Sequence, residues 1–289
     1  MIFAPRCEPM KFPASVVSMT VYRRNTIAML LFCLMSSGQL NPADANEPTA
    51  TGLGGASPFL GSDVVVLIDR SSLTLVSSGV DVDKDGVVGR DMRQALERNF
   101  YRESAQFWTS DSGDTLGELQ LEIARALVER LALRGNRVGL ESFALRVRYK
   151  GDVRLTDEHE VSVPVGATGA VLAAIADFPA AGERMRTDLS RLLERAAVLL
   201  DEAVTHIEPA RPQVILLLSL GQPSAPDGIY WSSQRALKRA AELGKRGIAV
   251  WAIALRPQDI DYLEELTRLG NGGVIPYDQL DSRFPVPTS

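Results

Sequence analysis

The sequence predicts an α/β protein with a mostly parallel central sheet and helices on both of its faces. Three apolar runs support this prediction: Asp63–Asp69 (DVVVLID), Val214–Leu218 (VILLL) and Ile248–Ala254 (IAVWAIA). Such continuous apolar runs, without polar alternation, are typical of strands that are buried on both faces. Amphipathic segments separate the runs, and strands that alternate with helices along the chain form parallel sheets.

Hydrophobic periodicity places the remaining elements around these three strands. Apolar residues recur at helical spacing from Leu116 to Leu131, and the pattern stops at Gly135. Arg137–Tyr149 and Val153–Val163 alternate in polarity and predict one antiparallel hairpin at the edge of the sheet. Further helices are predicted at 169–178, 187–204, 232–243 and 260–269, followed by a short last strand at 274–275. The arrangement is Rossmann-like.

The first 45 residues have the composition of a secretory signal peptide. Two arginines at 23 and 24 precede a ten-residue apolar run, and the A-D-A sequence at 43–45 supplies the small residues of a cleavage site. The apolar run is about half the roughly 20 residues that a membrane span needs. We therefore predict a signal peptide over 1–45, with Met19 as an alternative start, and a periplasmic or secreted mature protein. A cut after Gly38 and an uncleaved anchor are the alternatives.

The composition of the mature chain excludes several function classes. Removal of residues 1–45 takes away four basic and two acidic side chains, which lowers the formal net charge from −5 to −7. A nucleic-acid surface needs a basic excess, so no nucleic-acid partner is expected. Both cysteines, Cys7 and Cys33, lie in the signal peptide, which leaves no disulfide and no thiol nucleophile. Residues 46–61 contain four glycines and two prolines and are predicted to form a flexible linker.

An aspartate-rich segment follows the first strand. Asp81, Asp83 and Asp85 stand at alternate positions and lead into Gly86, as in the first half of an EF-hand-type loop. Three carboxylates at this spacing converge on one cation, and the glycine permits the sharp turn between them. The sequence therefore predicts a Ca²⁺ site, and the alternative is a solvated acidic turn without a metal.

The second half of this loop departs from the EF-hand pattern. Val87 stands where a backbone carbonyl binds the ion, but Met92 occupies the twelfth position, where an EF-hand carries a bidentate glutamate. Asp91, one residue earlier, is the candidate that closes the site.

A second set of oxygen-bearing residues is expected at the carboxyl ends of the strands, where open parallel sheets collect ligands. Asp69 and Ser71 follow the first strand, and Thr187 precedes a later helix. Their order resembles the metal-ion-dependent adhesion site of the von Willebrand factor A (VWA) domain family. The resemblance implies the family's site, in which a D-x-S-x-S loop, a threonine and an aspartate surround Mg²⁺. Here Leu73 and Leu220 replace the second serine and the aspartate, so we expect weak Mg²⁺ binding or none.

The resemblance implies a VWA-like domain over 62–280, with an insert at about 74–113 and a C-terminal tail at 281–289. The sequence looks similar to bacterial exported proteins of this family that carry an aspartate-rich insert at this place. It also implies a protein partner, in adhesion, envelope assembly or scaffolding. The oligomeric state is left open.

Tyr230 and Trp231 follow the fourth-strand loop and are candidates for partner binding or for packing. No nucleophile motif accompanies His159 or His206, so we predict a protein that is not an enzyme. Two alternatives stay open: a structural module with no working metal site, in which Asp69 and Thr187 only cap and brace loops, and a carboxylate-dependent hydrolase.

Overall fold

A mostly parallel seven-stranded sheet lies at the centre of the protein. The computed structural model describes residues 59–90, 109–150, 153–178, 185–206, 211–220, 229–256 and 260–284, all within one unit, Gly54–Ser289. The predicted signal peptide, most of the predicted linker and Asp91 lie outside the described residues. No helix among the described residues is long and apolar enough to cross a membrane.

The strands and helices alternate along the chain as predicted. The strands are β1 (Asp63–Ile68), β2 (Arg137–Lys150), β3 (Val153–Val163), β4 (Met185–Arg186), β5 (Gln213–Ser219), β6 (Ile248–Ala254) and β7 (Val274–Pro276). The helices are α1 (Leu116–Leu133), α2 (Thr168–Ala176), α3 (Leu189–His206), α4 (Ile229–Lys245), α5 (Ile260–Leu269) and α6 (Leu280–Arg283). A short 3-10 helix, Ser72–Leu75, follows β1.

The order of strands across the sheet is β3-β2-β1-β5-β6-β7, and the two-residue β4 pairs with β2. All neighbours from β2 to β7 are parallel, whereas β3 and β4 run antiparallel to β2. Apart from the short β4, this is the order in which a doubly wound sheet reverses beside its first strand. The predicted α/β fold class, including the antiparallel edge hairpin, is confirmed.

The two faces of the sheet bury separate hydrophobic clusters because successive side chains of a strand point to opposite faces. In β1, Val64, Val66 and Ile68 pack with α1 and α2, and Val65 and Leu67 pack with α3, α4 and α5. All six residues of β1 are buried, which explains why the sequence shows a continuous apolar run instead of alternation.

The packed domain extends beyond the predicted limits at both ends. Phe59, placed by sequence in the flexible linker, is 4% exposed, and its ring centroid lies 5.2 Å from that of Trp251. Phe284, placed in the C-terminal tail, is fully buried, with its ring 4.9 Å from Phe59. Aromatic side chains bury a large apolar area, so these two terminal residues belong to the core and not to tails.

Candidate strand-end site and aspartate loop

Asp69 lies at the carboxyl end of β1 and is 6% exposed. Its Oδ1 accepts hydrogen bonds from the Ser71 backbone N–H, at 2.8 Å, and from the Thr187 hydroxyl. The backbone N–H of Leu220, at the end of β5, is a third donor to this carboxylate. The structure thus brings together three residues that sequence order alone associates, although Asp69 and Thr187 are 118 positions apart.

The positions that depart from the family pattern are occupied by core side chains. Leu220 is fully buried in the hydrophobic cluster on the α1 face, and Leu73 packs against the same cluster. Neither side chain offers an oxygen, and Leu220 contributes only its backbone N–H to Asp69. Among the described residues, Asp69, Ser71 and Thr187 supply the side-chain oxygens at this position, one hydroxyl and one carboxylate fewer than the family pattern carries.

Burial sets the electrostatics of this carboxylate. Burial raises the pKa of Asp69 above its usual value, and the hydrogen bonds from Thr187, Ser71 and Leu220 offset only part of that rise. The Ser71 hydroxyl is itself buried and forms no hydrogen bond of good geometry within the described residues. The charged form of Asp69 therefore relies on donors of the protein itself.

The predicted calcium loop brings its three aspartates together. One carboxylate oxygen from each of Asp81, Asp83 and Asp85 lies within 4.8 Å of the others. The three side chains also shape the loop, since they accept the N–H groups of Gly86, Asp85 and Val87 at 3.0, 3.2 and 2.8 Å respectively. The loop is a tight turn that its own carboxylates hold by hydrogen bonds.

Backbone conformation and charge in the loop fit a cation. Gly86 has a φ of +90°, a region that L side chains rarely adopt. The Oδ1 atom of Asp81 is buried and has no hydrogen-bond partner within the described residues. The Asp85 N–H lowers the pKa of Asp83, but desolvation and the neighbouring carboxylates of Asp85, Asp111 and Asp114 together raise it above its usual value. Negative charge is concentrated here, as a cation site requires.

Asp114 attaches the loop to the rest of the domain. Its side chain is fully buried, and its two oxygens accept the backbone N–H groups of Val82, at 2.6 Å, and Gly89, at 2.7 Å. The next residue, Thr115, caps α1 by accepting the N–H of Glu118 at 3.1 Å. One carboxylate therefore holds both ends of the aspartate loop beside the start of α1.

Sequence analysis missed Asp114. The T-x-x-E pattern of Thr115 and Glu118 is a capping-box signal that locates the helix start. Nothing in the local sequence indicates that the preceding aspartate bonds to residues 25 and 32 positions earlier.

Tyr230 and Trp231 are the second and third residues of α4 and lie at the same edge of the sheet as Asp69, because α4 follows the carboxyl end of β5. They are 66% and 63% exposed. Their rings form an edge-to-face pair, with centroids 5.2 Å apart and planes at 77°. Two large aromatic side chains in solvent form an apolar projection beside the strand-end site.

No family model and no curated protein matches the sequence. Among solved structures, the VWA domain of SpRpn10 is 13% identical, with 75% of this chain and 89% of that domain covered and a TM-score of 0.42. The mussel byssus protein PTMP1 is 14% identical, with 77% of this chain and 45% of that chain covered and a TM-score of 0.41. The minor pilin PilB from Streptococcus sanguinis is 13% identical, with 75% and 57% covered and a TM-score of 0.48.

This chain thus spans less than half the length of the mussel protein. All three TM-scores are below 0.5.

Proposed function

We propose that this chain is an exported protein-recognition module of the VWA type, periplasmic or secreted, with a degenerate adhesion site. The main support for this proposal is the aromatic pair Tyr230 and Trp231 at the strand-end edge, whose side chains are 66% and 63% exposed. Tyr and Trp are enriched among residues that dominate binding energy at protein interfaces. A side chain that packed within its own domain would not leave this much aromatic surface in water.

Binding is favoured over catalysis by the state of Asp69. This buried carboxylate meets only N–H and hydroxyl donors among the described residues, which stabilise it in place. In this proposal Asp69 is a structural group, and the sequence carries no nucleophile motif beside it. The protein is therefore proposed to recognise a partner and not to be an enzyme.

The proposed module also holds Ca²⁺ in the aspartate loop. Asp81, Asp83 and Asp85 supply side-chain oxygens and Val87 supplies its carbonyl, in the order that EF-hand-type loops use. Their convergence within 4.8 Å supports this proposal, as does the buried, unpartnered Oδ1 atom of Asp81. The ion would balance like charges that otherwise repel one another, and Asp91 is the candidate for closing the shell.

Calorimetric titration of the exported protein with Ca²⁺ tests the loop. We expect one site and a rise in Tm, because an ion that binds only the folded state stabilises it by about 2.7 kcal/mol at a hundredfold excess over Kd. Asp83→Asn should weaken binding at least tenfold, whereas Glu264→Gln, an equal charge change on the remote helix α5, should leave it unchanged. Absence of heat and of any Tm change in the unmodified protein would end the calcium proposal.

Affinity capture tests the recognition surface. The exported protein, the Tyr230→Ala/Trp231→Ala variant and Leu133→Ala are each immobilised and exposed to an envelope extract. Leu133 is a matched control because it is 66% exposed but ends α1. The unmodified protein and Leu133→Ala should retain the same partner, and the aromatic variant should lose it. Equal retention by all three proteins, each shown to be folded by circular dichroism, would contradict the proposal.

A further inference from the structure

Arg70 directly follows Asp69 at the carboxyl end of β1, and it is 7% exposed. Its guanidinium lies over the ring of Phe178, just beyond the end of α2, with 4.7 Å between the guanidinium carbon and the ring centroid. Its Nε atom is buried and has no hydrogen-bond partner within the described part of the chain. This is an unusual position for a permanent cation.

A buried charge is stable only when an opposite charge or several hydrogen bonds replace its lost hydration. Burial lowers the pKa of Arg70, and no charge among the described residues contributes to that shift. The face of Phe178 recovers part of the lost hydration through a cation–π contact. Within the part of the chain that the structure describes, the guanidinium thus keeps an unpaired Nε donor beside the strand-end edge.

We propose that Arg70 receives an acidic side chain of the protein partner. In a complete adhesion site a metal ion supplies the positive charge that a partner carboxylate meets. Here that charge comes from Arg70, one residue from the carboxylate that the metal would have used. This inference rests on the proposed function, because it needs the strand-end edge to be the binding face.

The chemistry of the two groups supports this pairing. A guanidinium presents paired N–H donors in a planar fork that matches both oxygens of a carboxylate, so the contact selects geometry as well as charge. The surrounding protein excludes water, which strengthens such a pair relative to an exposed one. A neutral amide of the same shape cannot replace the acid, since it lacks the charge and the second acceptor.

The test uses two capped tripeptides, Gly-Asp-Gly and Gly-Asn-Gly, titrated into the exported protein and followed by amide chemical shifts. The acidic peptide should bind and shift residues near Arg70, and the amide peptide should bind at least tenfold more weakly. Arg70→Met should lose the preference, while Arg268→Met, an exposed arginine on α5 with the same charge change, should keep it. Equal binding of both peptides, or an unchanged preference in Arg70→Met, would overturn the inference.

A stability measurement keeps the test decisive if peptide shifts are small. Arg70→Met removes a buried charge but keeps an unbranched side chain against Phe178, so the Tm should rise by about 2–4 °C. A fall in Tm would show a structural role and contradict the inference. If Tyr230→Ala/Trp231→Ala loses the partner while Arg70→Met retains it, this inference alone fails. If the aromatic variant retains the partner, the proposed function fails.

Discussion

Replacing Asp114 with alanine is expected to lower the free energy of unfolding by about 3–5 kcal/mol, because hydrogen bonds to charged groups contribute roughly 1.5–3 kcal/mol each. The substitution removes the side-chain acceptor of the Val82 and Gly89 N–H groups, at a position where Asp114 is fully buried. The two ends of the aspartate loop then lose their common attachment. We also expect the Ca²⁺-dependent rise in Tm to disappear.

Chemical denaturation with and without Ca²⁺ measures both effects. The control for the stability effect, measured without Ca²⁺, is Asp111→Ala in the same segment, since Asp111 is half-buried and accepts the nearby Gly113 N–H at 2.8 Å. It should lose about 1 kcal/mol, the usual value for one such bond. A stability of Asp114→Ala within 1 kcal/mol of the unmodified protein would show that the loop does not depend on this carboxylate.

Replacing Arg195 with methionine should lower the free energy of unfolding by about 3–5 kcal/mol, because it leaves a buried carboxylate without its charged partner. Glu141 on β2 is fully buried, and its Oε1 accepts from Arg195 Nε of α3 at 2.8 Å. Arg195 also contacts Glu160 on β3. This pair holds α3 against the sheet two turns after Thr187, so its loss should also disturb the hydroxyl that Asp69 accepts.

A second variant separates the cost of an unpaired charge from the value of the pair. Glu141→Met with Arg195→Met replaces both charges, and such replacements are often neutral or stabilising, so most of the stability should return. Arg239→Met, whose partners are the exposed Glu194 and the half-buried Glu242, should cost less than about 1 kcal/mol. Denaturation curves of the three variants provide the comparison, and equal losses in the single and double buried variants would refute the account.

Local pattern was sufficient for the long elements of the fold, but not for the two-residue strand β4 or the four-residue helix α6. The ranges predicted for β3, β6 and α5 coincide with those observed, and α3 differs by two residues at each end. The reason is that periodicity and strand burial are properties of neighbouring residues, so a run such as IAVWAIA shows its burial directly. The sequence analysis did not place Phe59 and Phe284 in the core because their aromatic contacts join residues far apart in sequence.

In the candidate sites, too, some features follow from neighbouring residues and others from tertiary packing. The spacing of Asp81, Asp83 and Asp85 determines that their oxygens share one turn, because the chain turns sharply at the glycine that follows these three alternate residues. The hydrogen bonds of Asp114 to that turn and the position of Arg70 over Phe178 depend on how separate segments pack, and no local pattern encodes them.

The sequence by itself determined the order of strands and helices, the faces that they bury and the acidic turn after β1. Only the tertiary structure decided that Thr187 donates to Asp69, that Leu220 closes the site with core packing, and that Asp114 anchors the turn. The physical reason is range: hydrophobic periodicity acts over a few residues, whereas these hydrogen bonds join groups that only the folded sheet brings together.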